Sequence, residues 1–253
     1  MMKTFTALSG QTLSYLGKDL SEGPSPAVFY FALSAHESLL TDPFNQIVTH
    51  LQKYPIRIFS LDLPAHGKDL LATEALKVWA EQIEKGDDPL TPFFTKTASS
   101  LEELRTMGVI SDVQTATCGL SRGAYVAAEV AARLPWLKLI LGFAPLTKLR
   151  YAKEFHHLLH NDIVNAHSLT HQIDHLFDKK LRFYISNKDT RVGTKECFDF
   201  IHHLAEKAHE HRIRSAPIEL LIKPPLGHQG HGTSSEIFFE GGLWLLKELG
   251  FSI

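Results

Sequence analysis

The sequence has little that would mark it for secretion, for a membrane or for nucleic acid. Its 253 residues hold two cysteines, Cys118 and Cys197, which make no disulfide framework. An excess of one charge is also lacking, since 26 basic and 28 acidic side chains leave a formal net charge of −2. Such a balance gives no electrostatic footprint for nucleic acid or an anionic membrane surface. No uninterrupted apolar run reaches the ~18 residues a membrane span requires. Residues 1–17 alternate around a Ser9-Gly10 turn and hold no apolar signal-peptide core. There is no internal repeat and no low-complexity tract. These absences point to a cytoplasmic protein.

What is present suits a globular chain: 44% of the residues are hydrophobic and 21% charged. The length predicts one domain over residues 1–253. Short apolar runs stand at 27–33, 56–63, 113–118, 137–143, 181–186 and 218–223. They are continuous rather than alternating, as in strands covered on both faces. Amphipathic segments lie at 43–53, 71–85, 95–106, 122–134, 194–210 and 234–248. The alternation predicts an α/β fold, with a mostly parallel sheet and helices on both faces. Residues 4–8 and 11–16 read as an antiparallel hairpin leading into it. Two stretches depart from the alternation: a turn-rich insert at 86–96 and a helical excursion at 146–178, where a cap over a site is expected.

Gly119-Leu120-Ser121-Arg122-Gly123 matches G-x-S-x-G, between a predicted strand and a predicted helix. A nucleophile elbow needs that context, because the serine must be lifted clear of the sheet by a very tight turn. Side chains at 119 and 123 would collide with the neighbouring strand and helix. The following AYVAAEVAARL packs closely because it is rich in alanine, and its N-terminus favours a developing oxyanion. The Arg122 amide is the expected oxyanion donor. A strand–turn–helix junction with an N-capping serine is the plain alternative.

A serine nucleophile needs a base, and the base needs an orienting acid. Asp189 follows the run LRFYIS, at the carboxyl end of a predicted strand, where open α/β sheets build their sites. Asp178, Asp199 and Glu219 lie before a strand, in a helix and within a strand. Beyond the last strand comes PPLGHQGHG. His228, closing the strand–Pro–x–x–Gly–His pattern, is favoured as the base, and His231 is the alternative. Serine, acid, histidine is the chain order of α/β-hydrolases.

Over nearly its whole length the chain resembles the α/β-hydrolase superfamily. GLSRGAY and NKDTRVG are similar to the elbow and acid loop of the dienelactone-hydrolase and prolyl-oligopeptidase-like branch. LDLPAHG at 61–67 is similar to a D-x-P-G-H-G turn of the superfamily, with Ala65 in place of glycine and His66 as a structural turn residue. The resemblance implies about eight strands and a helical cap insertion. It also implies hydrolysis of an ester, thioester or amide through an acyl-enzyme on Ser121, with a small-molecule ester or acyl compound as substrate. No metal or organic cofactor is implied. A serine nucleophile argues against the dehalogenase and epoxide-hydrolase branches, which use aspartate. Many members place His-Gly after the strand that corresponds to 27–33. Here Ala32-Leu33-Ser34-Ala35-His36 stands instead, leaving the amide of Leu33 or Ser34 for the second oxyanion donor.

Two rival readings come from other classes. A non-catalytic α/β-hydrolase fold would bind a small ligand or a protein partner. A metal-dependent hydrolase would use the histidines, of which the chain has 15. His167, His171 and His175 would share one face if their helix were continuous. A solvated or cap-lining stripe is the simpler account of them. Phe93, Phe94 and Phe155 suggest either an apolar pocket wall or core.

Overall fold

The computed structural model describes residues 1–67 and 70–252. The strands are β1 (Lys3–Thr6), β2 (Thr12–Leu16), β3 (Ser25–Phe31), β4 (Arg57–Ser60), β5 (Ile110–Leu120), β6 (Leu139–Phe143), β7 (Lys180–Ser186) and β8 (Ile218–Lys223). They form one sheet in the order β1-β2-β4-β3-β5-β6-β7-β8. The pairs β1–β2 and β2–β4 are antiparallel. From β4–β3 to β7–β8 every pair is parallel.

Both faces of the sheet are covered, which is why the strands read as unbroken apolar runs. Along β3, Ala27, Phe29 and Phe31 enter one core, together with Phe59. Their neighbours Val28 and Tyr30 enter the other, together with Ile58. Helices Ala75–Glu84, Leu90–Thr106, Arg122–Ala132 and Thr194–Glu210 cover the first face. Gln46–Leu51 and Ser235–Glu248 cover the second. The chain crosses from β4 past β3 to β5, so a switch point lies between the carboxyl ends of β3 and β5. Among the described residues no helix is long and apolar enough to cross a membrane.

Two expectations are corrected, and one helix is added. Residues 90–96 are not a turn-rich insert but the first turns of helix Leu90–Thr106. Asp88 Oδ1 accepts the Leu90 and Thr91 amides at 2.9 and 3.2 Å. Pro92 falls in the first turn, where its missing N–H costs nothing. A short helix, Ala35–Leu40, which lies outside the predicted segments, begins on a Ser34/Glu37 capping box. The excursion at 146–178 is a succession of 3₁₀ turns and short helices. His167 ends one helix at φ −83°, ψ 69°, while His171 and His175 belong to two later elements, so they form no single helical stripe.

One buried cation holds the amino-terminal end of the sheet together. Arg57 is fully buried, and burial lowers the pKa of its guanidinium. It donates to the carbonyls of Lys18 at 3.2 Å and Gly23 at 2.8 Å, and also to those of Asp19 and Val109. Arg57→Met would leave these acceptors without their donor, at 1–3 kcal/mol for each that water does not reach. Urea denaturation is expected to show a loss of roughly 3 kcal/mol with an unchanged m value.

Candidate active site

Ser121 lies between β5 and helix Arg122–Ala132 at φ 57°, ψ −118°. A serine with positive φ is strained, at about 1–3 kcal/mol, and persists only where its surroundings enforce it. Here the Ser121 amide donates to the Phe143 carbonyl at 2.8 Å, and the Ser121 carbonyl accepts from the Leu146 amide at 3.2 Å. The two glycines of the elbow are required by space. A Cβ at Gly119 would stand 2.2 Å from the Gly123 carbonyl, and one at Gly123 would stand 1.9 Å from the Phe31 oxygen.

Three loops at the carboxyl ends of β5, β7 and β8 bring Ser121, Asp189 and His231 together. His231 Nε2 lies 2.9 Å from Ser121 Oγ, and its Nδ1 lies 2.7 Å from Asp189 Oδ2. An ionised carboxylate only accepts, so Nδ1 carries the proton and Nε2 accepts the serine hydroxyl. Asp189 is 3% exposed. Its second oxygen accepts the Arg191 and Val192 amides at 2.9 and 3.0 Å, so neither oxygen lacks a donor.

His228, the favoured base of the sequence reading, is exposed and makes no contact with Ser121; His231 takes that place. The reason lies in the backbone. The Gln229 carbonyl accepts the Thr190 amide at 2.9 Å, and the Gly230 carbonyl accepts the Ser186 hydroxyl at 2.5 Å. These bonds dock the turn on the acid loop, so that the next side chain faces Asp189. A Cβ at Gly230 would meet the Lys188 oxygen at 2.2 Å. Glycines on both sides of His231 were the available signal.

Of the three oxyanion candidates, Leu33 and Ser34 already donate within the fold. The Leu33 amide reaches Ser38 Oγ at 3.1 Å, and the Ser34 amide reaches Glu37 Oε2 at 3.2 Å. The Arg122 amide opens its helix and has no acceptor among the described residues. A cavity of about 320 Å³ adjoins Ser121 and His231, walled by Leu33, Pro43, Phe44 and Phe238. Phe94 and Phe155 are core residues outside that wall.

The excursion is fastened beside the site. Glu154 forms a bidentate pair with Arg191, with N–O distances of 2.8 and 2.9 Å. His167 is buried, accepting from the Tyr125 hydroxyl and donating to Asp88, both at 2.9 Å. Burial alone would raise the Asp88 pKa, but hydrogen bonds from His167 and Thr91 hold it below the usual range. A larger cleft of about 1010 Å³ runs along the excursion past Arg150, His156, His160 and His171, and shares no residue with the cavity at Ser121.

No protein family matches the sequence, and comparison with curated proteins gives no match either. Solved structures do match. A cold-adapted esterase from an Arctic intertidal metagenomic library aligns with a TM-score of 0.63 at 17% identity, over 98% of this chain and 92% of that one. The 2,6-dihydroxy-pseudo-oxynicotine hydrolase aligns with a TM-score of 0.69 at 14% identity, over 99% and 68%. Porphyromonas gingivalis dipeptidyl peptidase 4 aligns with a TM-score of 0.66 at 13% identity, over 98% of this chain and 35% of that one. The chain thus spans about a third of that peptidase and nearly all of the esterase. The fold is that of the α/β-hydrolases.

Gly123→Ala is expected to abolish the soluble folded protein, because a methyl group would meet backbone that cannot yield. Gly242→Ala is the control: its Cβ would have 3.7 Å to His50, and the helix would gain about 0.5–1 kcal/mol. Expression yield and thermal melting check both.

Proposed function

We propose that the protein is a serine hydrolase acting on small esters through an acyl-enzyme on Ser121. The observation that carries this reading is the chain of short hydrogen bonds Ser121–His231–Asp189 at a strained elbow. In the reaction, His231 Nε2 takes the Ser121 proton as Oγ attacks the ester carbonyl. The imidazolium formed keeps its Nδ1 proton against Asp189 and returns the other proton to the leaving alkoxide. Water then repeats the sequence on the acyl-enzyme and releases the acid. The Arg122 amide faces the oxyanion.

The wall of Leu33, Pro43, Phe44 and Phe238 favours a compact apolar acyl or alcohol group. No carboxylate lines this cavity among the described residues, so the ammonium of a peptide terminus would find no partner there. That favours esters over peptides. The excursion at 146–178 is read as a cap, fastened by Glu154 and His167. The engaged Leu33 and Ser34 amides favour a second reading, a binding protein that keeps the fold without turnover.

A fluorophosphonate probe, followed by mass spectrometry, separates the two. Wild-type protein is expected to carry the label on Ser121, and Ser121→Ala to carry none. With p-nitrophenyl acetate, His231→Ala is expected to lower kcat by roughly 10,000-fold, while His228→Ala stays within about twofold. A folded wild-type protein that neither labels nor hydrolyses the ester would leave the binding reading.

A further inference from the structure

The turn at 62–66, after β4, contacts both halves of the oxyanion region without touching the cavity's reactive atoms. On one side is the nucleophile elbow. Arg122 Nη1 donates to His66 Nε2 at 3.3 Å and to the Ala72 carbonyl at 2.8 Å. On the other side is the loop after β3. Asp62 Oδ1 accepts the Ala35 amide at 2.7 Å, and the Leu63 amide donates to the Leu33 carbonyl at 3.2 Å.

The turn itself is held firmly. Its Pro64 carbonyl accepts Trp79 Nε1 at 2.7 Å and lies 2.9 Å from His66 Nδ1, while Trp79 is fully buried. A carbonyl cannot donate, so the proton of His66 sits on Nδ1 and Nε2 presents its lone pair to Arg122. Only neutral histidine can do this beside a guanidinium. Burial, and next the charge of Arg122, push the His66 pKa down to about 4, so the imidazole is neutral through the working range of a serine hydrolase. Burial and then the neighbouring Arg191 lower Arg122 to about 10, which leaves it charged. Gly67 completes the turn at φ 118°, where a Cβ would stand 2.8 Å from Asp62 Oδ2 and disturb its bond to Ala35.

We infer that this turn is the positioning device of the oxyanion site, His66 acting through Arg122 and Asp62 through the start of helix Ala35–Leu40. The inference rests on the serine-hydrolase reading. Arg122 supplies the oxyanion amide that has no acceptor among the described residues, and its side chain is the handle by which that amide is fixed. Leu33, on the facing loop, walls the same cavity. A shift of either half by a few tenths of an ångström would lengthen the hydrogen bond to the tetrahedral intermediate. It would leave the apolar wall that binds the ground state in place.

The test compares His66→Ala and Asp62→Ala with His66→Gln, whose amide oxygen still accepts from Arg122, and with Asp62→Asn, which keeps an acceptor for Ala35. Turnover of p-nitrophenyl acetate is measured beside the inhibition constant of phenylboronic acid, which becomes tetrahedral when the serine oxygen adds to boron. The alanine variants are expected to lose roughly 10–100-fold in kcat with KM within about threefold, and to bind the boronic acid more weakly by a similar factor. The Gln and Asn variants are expected to recover most of both. Should His66→Ala fail to fold, Asp62→Ala against Asp62→Asn, with His66→Gln, still decides. An active wild type whose folded variants keep kcat, or lose only KM, overturns the inference and leaves the hydrolase reading standing. A wild type that neither hydrolyses nor labels at Ser121 removes the reading and the inference together.

Discussion

The helix after Ser121 approaches β3 so closely that a methyl group at Gly123 would lie 1.9 Å from the Phe31 oxygen, and the geometry of the site descends from that approach. It lets the helix start directly above the sheet, with the turn before it compressed into a single residue at φ 57°. The compression has a stability cost, and burial along the helix offsets it. From Gly123 to Ala132 every residue is buried, and five of the ten are alanine, so the helix lies deep with few large side chains to hold it off. The strain at Ser121 is therefore sustained by apolar packing along the rest of the helix together with the bonds its amide and carbonyl make to Phe143 and Leu146.

Given that elbow, the partners of Ser121 are set by loops that hold one another. The histidine turn is tied to the acid loop through Thr190–Gln229 and Ser186–Gly230. Asp189 is tied to its own loop through the amides of Arg191 and Val192. A buried carboxylate is costly unless every oxygen is satisfied, and here two amides and an imidazole satisfy both. With both oxygens of the acid engaged, the tautomer and direction of His231 are set by the fold itself. That preorganisation is what distinguishes this constellation from a serine that happens to cap a helix.

What was legible in the sequence follows from how local each feature is. The elbow could be read because strand, glycine, serine, glycine and small-residue helix are all consecutive. Asp189 could be read because it lies within a few residues of the end of β7. The choice between His228 and His231 could not, since it depends on hydrogen bonds from residues 186 and 190 to a turn some forty positions later. The helix at 90–96 was obscured by Pro92, which is a breaker in mid-helix and harmless in a first turn. Arg57 was hidden because four backbone carbonyls from two distant parts of the chain are its partners, and carbonyls leave no mark in a sequence. The histidine spacing at 167, 171 and 175 was real, but a stripe needs a continuous helix and this stretch turns twice.

The state of the Leu33 amide bears on how a site without the His-Gly pair would work. It donates to Ser38 Oγ, a neutral hydroxyl, and such a bond is worth about 1 kcal/mol net. A donor to an oxyanion in a closed site contributes about 3 kcal/mol. In the proposed reaction, a ground-state carbonyl would not displace the hydroxyl, whereas the charge formed on attack would. The Ser34 amide is placed differently, since its acceptor is the Glu37 carboxylate, already charged and reinforced by the Ser34 hydroxyl. An oxyanion gains little by replacing another anion, and Ser34 does not line the cavity. In the proposed reaction Leu33 would therefore be the better second donor, and its exchange of partners would fall wholly in the transition state. An interaction made only there raises kcat without tightening substrate binding.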